Sequence, residues 1–230
     1  MILGIDTATR VVALGLAAEG RAIAELALDD APSRTRTLTV AIGELLGGAG
    51  VSRADLSAVG VGEGPGSFTG LRVGIAAAQG LACGLGIPCV GVSTLEAIAH
   101  NAPADASVVA VLVDAGRGEV FLGELERRGG SLVRRSDPRA LSPGQAAEAI
   151  PDGAFVLGDG WLRYRSVLAR LLGDRVRVAP DELAPPRGAT VAELARRVLA
   201  ASAESSRRSN VEATYVREPD ARPWTASSGA

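Results

Sequence analysis

Apolar residues come in short unbroken runs at the start of the chain and at helical spacing further on. Residues 2–5 and 11–17 are apolar stretches of strand length joined by Asp6-Thr7-Ala8-Thr9-Arg10, and Gly20 turns the chain into a third stretch over 22–28. Three strands linked by tight turns predict an antiparallel meander. Leu38, Ala41, Ile42, Leu45 and Leu46 then fall at i, i+3, i+4, i+7 and i+8, the stripe of an amphipathic helix that Gly47-Gly48 ends. Residues 58–62 predict a short strand apolar on both faces, as in a buried parallel pair. A glycine-rich loop follows, then a helix over about 71–83 and a strand over 89–92. Ser93-Thr94-Leu95-Glu96 has the form of a capping box opening another helix. The order βββαβαβα predicts a mixed sheet with helices on its faces.

Asn101-Ala102-Pro103-Ala104-Asp105 is a polar link to a second half. Strands are predicted over 108–113, 119–125 and 132–135, with turns at Asp114-Ala115-Gly116-Arg117-Gly118 and Arg127-Arg128-Gly129-Gly130. Ser142-Pro143-Gly144-Gln145 caps a helix with proline at its first position, residues 155–157 predict a strand, and 161–172 a helix stopped by Gly173. Thr190-Val191-Ala192-Glu193 predicts the cap of a last helix, after which the chain turns polar and aperiodic. The two halves repeat: Asp6 is followed nine residues later by Gly15, and Asp114 by Gly123, an offset of 108 residues. The predicted organisation is a first lobe over 1–102, a reduced second lobe over 103–188, a helix near 189–202 returning to the first lobe, and a partly disordered tail over 203–230. Two lobes of this kind face each other across a cleft with an acidic turn at each side of its mouth.

Composition narrows the chemistry. All 24 basic residues are arginine, which excludes a Walker-A lysine, a Schiff-base lysine and a lysine general base. One histidine, His100, excludes histidine-rich metal sites and disfavours a Ser-His-Asp triad. Cys83 and Cys89 are too few for a disulfide framework and read as small apolar residues in a reducing compartment. The start lacks a basic signal-peptide region, and the charge-free window from Val73 to Leu95 is broken by five glycines and Pro88, so a soluble cytoplasmic protein is expected. Between Arg127 and Arg177 ten arginines outnumber five acids, and a solvated face is the expected reading over a tRNA-binding one.

Two stretches carry candidate chemistry. Asp6, Thr7 and Thr9 could orient a hydrated Mg²⁺ and meet phosphate oxygens, or serve ordinary turn hydrogen bonding. Asp114 is the matching residue of the second half. Gly62-Glu63-Gly64-Pro65-Gly66-Ser67-Phe68-Thr69-Gly70-Leu71-Arg72-Val73-Gly74 runs from a strand into a helix, so Gly64, Gly66, Ser67 and Thr69 stand where backbone N–H groups permit an anion site without compelling one. The helix it opens is crowded with small residues, which admits close approach of another helix inside the fold or across an interface.

Ile5 to Thr9, Gly64 to Gly74, Gln79-Gly80-Leu81-Ala82 and Gly91 to Leu95 together resemble the bacterial TsaB family, also called YeaZ. Asp114 to Phe121 and Tyr215-Val216-Arg217 are similar to its second-lobe and C-terminal signatures; the match is dense over 2–125 and thin afterwards. The resemblance implies an α/β, two-lobe actin/Hsp70/sugar-kinase fold made of two ribonuclease-H-like units. It implies a scaffold role in making N6-threonylcarbamoyladenosine at adenosine 37 of tRNAs that read ANN codons. The implied partners are the catalytic paralogue TsaD, the ATPase TsaE and, through the complex, tRNA, with a homodimer when TsaD is absent and no membrane.

The resemblance implies no catalytic residue, no metal and no cofactor of its own, with ATP or ADP and Mg²⁺ at the partner interface left open. It places the partner surface at Arg34, Leu38, Ile42, Leu45, Leu71, Arg72, Ile75 and Ala78. Arg34 stands where many members carry histidine. The alternative function is a small ATP-dependent kinase or ATPase using Asp6, Asp114 and the cleft.

Overall fold

In a computed structural model, which describes residues 1–29, 38–201 and 210–216, strands β1 (Ile2–Asp6), β2 (Val11–Ala18) and β3 (Arg21–Asp29) form the expected meander. Glu19 and Gly20 both take positive φ, at 50° and 78°, the geometry a two-residue hairpin needs to match strand twist. Helix α1 (Leu38–Gly48), strand β4 (Ala58–Gly64), helix α2 (Phe68–Leu85) and strand β5 (Cys89–Ser93) complete a sheet ordered β3-β2-β1-β4-β5, with β4 and β5 parallel to β1. Strand alternation sends Leu3, Ile5, Leu14 and Leu16 to one face, where Ile42, Leu45, Ile75 and Ala78 of α1 and α2 cover them. Helix α2 is long and apolar enough to cross a membrane, yet Leu71, Gly74, Ile75, Ala78 and Ala82 along it are buried within this fold.

The second half repeats the plan. Strands β6 (Val108–Gly116), β7 (Glu119–Arg128), β8 (Ser131–Arg134), β9 (Arg139–Leu141), β10 (Phe155–Leu157) and β11 (Arg177–Val178) form a sheet ordered β11-β10-β6-β7-β8, with β9 also on β7. Helices α4 (Pro143–Ala149) and α5 (Asp159–Leu172) cover one face through Ala146, Ile150, Trp161, Leu168 and Leu172. Both sheets thus place an antiparallel meander beside two parallel strands, the ribonuclease-H-like unit, and their pairing is the actin/Hsp70/sugar-kinase architecture. Strands β9 and β11 lack a counterpart in the pattern reading because three and two residues are too few to show a period.

The two units exchange a helix. Helix α3 (Thr94–Ala99) follows the first sheet but packs Leu95, Ile98 and Ala99 on Val109, Val111 and Phe121 of the second. Helix α6 (Gly188–Ala201) follows the second sheet but packs Val191, Ala192 and Ala195 on Ile2, Ala17 and Val90 of the first. Helix α3 lies at the seam of the two cores: Leu95, Ile98, Ala99 and the following Ala102 join the second, while Ala97 joins the cluster beneath α6.

The paired glycines of the repeat mark this exchange. Gly15, Gly4 and Gly60 pair across three adjacent strands as one row beneath α6. A Cβ at Gly15 would collide with the backbone of Ala189, one at Gly4 with that of Gly188, and one at Gly60 would stand 2.6 Å from Ala195 Cβ. At Gly123 the corresponding Cβ would lie 2.7 Å from Leu95 Cδ1 of α3. Helix α6 starts at Gly188, two residues before the expected cap. Glu25 of β3 anchors that start by accepting from the Ala189 N–H at 3.1 Å and pairing with Arg187, a carboxylate at the positive helix end.

Candidate functional site

The acidic turn after β1 is closed to solvent. Asp6 is fully buried: its Oδ1 accepts from the Ala8 N–H at 2.9 Å and its Oδ2 from the Thr94 hydroxyl at 2.8 Å. Gly62 on β4 leaves the space this carboxylate fills, because a Cβ there would overlap it. Burial pushes the Asp6 carboxyl up to about 6, against the lowering effect of the two hydrogen bonds, and the charge of Asp159 raises it further. Placing Asp6 at the face of an open cleft is thus corrected: packing turns the carboxylate inward, where it braces the turn.

The glycine-rich loop is explained by the same turn. The Ser67 N–H donates to Ala8 O at 2.7 Å, and the Thr7 hydroxyl donates to Gly70 O at 2.7 Å. Cβ atoms at Gly66, Gly70 and Gly74 would overlap Ala8 or Thr7, so these three glycines let the loop and the first turns of α2 close onto the turn. The Ser67 hydroxyl accepts from the Gly70 N–H at 3.2 Å and caps α2. Gly64 takes φ of 107° beside Leu71 and Thr214. The loop is committed to internal docking, and the phosphate-facing roles drawn for Gly64 and Gly66 do not follow from its geometry.

Thr7, Thr9, Ser67 and Thr69 do come together, with Leu38, Arg10 and Val73, around an open cleft of about 590 Å³ between the starts of α1 and α2. Thr7 and Thr9 contribute little free polarity, since Thr9 donates to Val11 O at 3.0 Å and both are buried. Asp114 lies apart from it. It accepts from the Gly116 N–H at 3.0 Å and pairs with Arg163 at 3.3 Å. A Mg²⁺-nucleotide between the lobes needs accessible carboxylate oxygens. Asp6 offers no such oxygen, and the part-exposed Asp114 is engaged by its own turn and by Arg163.

Asp159, at the start of α5, is the residue the pattern reading missed. Its two oxygens accept from the Asp114 N–H at 3.0 Å and the Arg10 N–H at 3.4 Å, joining the acidic turns of both lobes. Burial raises its pKa despite these bonds. The sequence Gly158-Asp159-Gly160 between strand and helix was the available signal: a Cβ at Gly158 or Gly160 would crowd Leu112 of β6.

The expected partner residues divide by burial. Ile42, Leu45, Leu71, Ile75 and Ala78 are buried in this chain's own core and Leu38 is half-buried, so the first five are corrected to core positions. Arg34 lies outside the described residues, as do residue 202 of the expected last helix and 203–209 and 217–230 of the expected tail. The exposed residues of the two helices include Val40 and Gly47 on α1, with Gly43 half-exposed, and Phe68, Arg72, Val73, Ala76 and Gly80 on α2, alongside Thr39, Glu44, Gly48, Thr69, Cys83 and Gly84. At Gly43, Gly47 and Gly80 an added Cβ would meet nothing within 4 Å. In the arginine-rich second lobe, eight of the ten arginines pair with acids, including Arg139 with Glu124 at 2.9 Å and Arg177 with Asp105 at 2.9 Å. That charge is largely neutralised in place.

The chain is similar to known proteins in sequence and in fold. Residues 31–154 match the family model of TsaD, tRNA N6-adenosine threonylcarbamoyltransferase. The chain is 37% identical over 166 residues to the tRNA threonylcarbamoyladenosine biosynthesis protein TsaB of Escherichia coli K12, covering 70% of this chain and 71% of that one. The corresponding protein of Haemophilus influenzae is 32% identical over 180 residues, covering 71% and 73%. Among solved structures, YeaZ from Pseudomonas aeruginosa superposes with a TM-score of 0.76 at 28% identity, over 93% of this chain and 98% of that one.

Proposed function

The chain belongs to the TsaB (YeaZ) family of tRNA threonylcarbamoyladenosine biosynthesis proteins, and from that premise we propose that it is the non-catalytic partner of the TsaD transferase subunit. In this reading it docks to that subunit in the cytoplasm and enables it, with the TsaE ATPase, to modify adenosine 37 of tRNAs reading ANN codons. The observation that carries the reading is the exposed face of α1 and α2. Val40, Phe68 and Val73 are 49%, 45% and 52% exposed beside glycine and alanine positions with no bulk above them. Small residues let two helices approach closely, and an exposed aromatic with an arginine supplies the anchors typical of a protein interface. The same face would pair two copies when the transferase is absent.

The kinase alternative finds no support in the enclosed Asp6 or the committed Asp114. The role is tested by reconstituting the transfer from TsaD, TsaE, threonylcarbamoyl-adenylate, ATP and tRNA. Modification should depend on adding this chain; full activity without it overturns the reading.

A further inference from the structure

Residues 210–216 run back across the first lobe and end at its exposed face. Val211 is buried in the first lobe's core beside Gly91 of β5, and the Gln79 amide of α2 donates to Asn210 Oδ1 at 2.9 Å and to Val211 O at 3.0 Å. The Thr214 N–H donates to Glu63 O at the end of β4 at 2.7 Å. With the segment fixed at both points, Tyr215 emerges beside the first turn of α2, 44% exposed. Its ring meets Phe68 at 5.5 Å between centroids, tilted by 41°, and its hydroxyl accepts from Arg72 Nε at 3.3 Å. The Arg72 guanidinium in turn covers the Phe68 ring at 3.8 Å.

Phe68 and Arg72 sit four residues apart on one helix face, where long side chains are otherwise free to change rotamer. We propose that Tyr215 is a positioning residue of the docking face, holding Phe68 and Arg72 in a single arrangement for the transferase subunit. The segment 210–216 is thereby a working part of that face. This rests on the docking reading above and deepens it. Phe68 is the exposed aromatic of the face, and an anchor ordered before binding leaves less freedom to lose on association.

The test is calorimetric titration of the full chain with the TsaD subunit, comparing the unaltered protein with Tyr215→Ala, Tyr215→Phe, Phe68→Ala and the Phe68→Ala/Tyr215→Ala pair. Tyr215→Ala should weaken binding about tenfold while the isolated chain melts as before. Tyr215→Phe keeps the ring on Phe68 and should stay within about threefold of the unaltered protein. Once Phe68 is alanine, Tyr215→Ala should cost little more, because the two act through one arrangement.

Undiminished binding by Tyr215→Ala, or costs that simply add, would overturn the inference. So would a Tyr215→Ala chain that fails to fold, which would make the residue structural only. If the unaltered chain binds and Tyr215→Ala binds equally, the docking reading survives alone. If the unaltered chain does not bind, both fall.

Discussion

The Thr94 hydroxyl donates to the Asp6 carboxylate at 2.8 Å across 88 residues of chain, and both side chains are fully buried. Thr94 is the first residue of α3, the helix that leaves the first sheet to complete the second core. One hydrogen bond therefore ties the first acidic turn to the element that joins the lobes.

Asp6 should make stability depend on pH. The unfolded carboxyl ionises near its ordinary 3.8, while burial raises the native one to about 6. Between these values the native state keeps a proton that the unfolded state has lost, so the contribution of Asp6 to stability is greatest below the ordinary value and falls as pH rises through about 6. The loss is of order 3 kcal/mol, from about two units at 1.36 kcal/mol each. Asp6→Asn removes this ionisation and should flatten the dependence; urea unfolding of both proteins from pH 4 to pH 8 measures it.

The glycines of the repeat should differ in sensitivity. Gly15→Ala forces a Cβ into the Ala189 backbone, which cannot rotate away, whereas Gly123→Ala meets the flexible end of Leu95. Gly123→Ala should cost about 1–3 kcal/mol and Gly15→Ala more. Denaturant midpoints of the two variants give the order directly.

Bulk on α2 should separate core from interface. Gly80→Trp enters open space and should leave the melting temperature nearly unchanged while weakening TsaD binding at least tenfold, roughly 1.4 kcal/mol. Ala78→Trp enters a site with no exposure and should unfold the first lobe. Thermal melts and size-exclusion chromatography with the transferase distinguish the two.

Removing the Asp159 bridge should loosen the lobes. Asp159→Ala leaves the Arg10 and Asp114 N–H groups without their acceptor. Amide exchange at those two positions should accelerate, with about 1–3 kcal/mol lost overall. Exchange confined to Asp114 would show that the contact from the first lobe contributes nothing.

The long elements are legible in the sequence because each carries its own period. The meander over 2–28 and the helix starting near Leu38 need no knowledge of what lies opposite. The same periodicity misled about function. The stripe of Ile42, Leu45, Ile75 and Ala78 is the most regular apolar feature of α1 and α2, and it faces this chain's own sheet. The surface left open mixes small residues such as Gly43, Gly47, Ala76 and Gly80 with single large or polar ones such as Val40, Glu44 and Phe68, which leaves little hydrophobic contrast to detect. Tyr215 lies 143 residues beyond Arg72, and no local rule joins it to Arg72 or Phe68.

The longer strands and helices of each half, the acidic turns, the duplication and the family resemblance are legible in the order of residues, because short-range sterics and periodic burial act between neighbours along the chain. Which sheet α3 and α6 cover, that Asp6 turns inward, and that Asp159 and Tyr215 join distant segments depended on the assembled fold. These follow from close packing and from the need to pair every buried polar group, conditions met only when segments far apart in the chain occupy the same space.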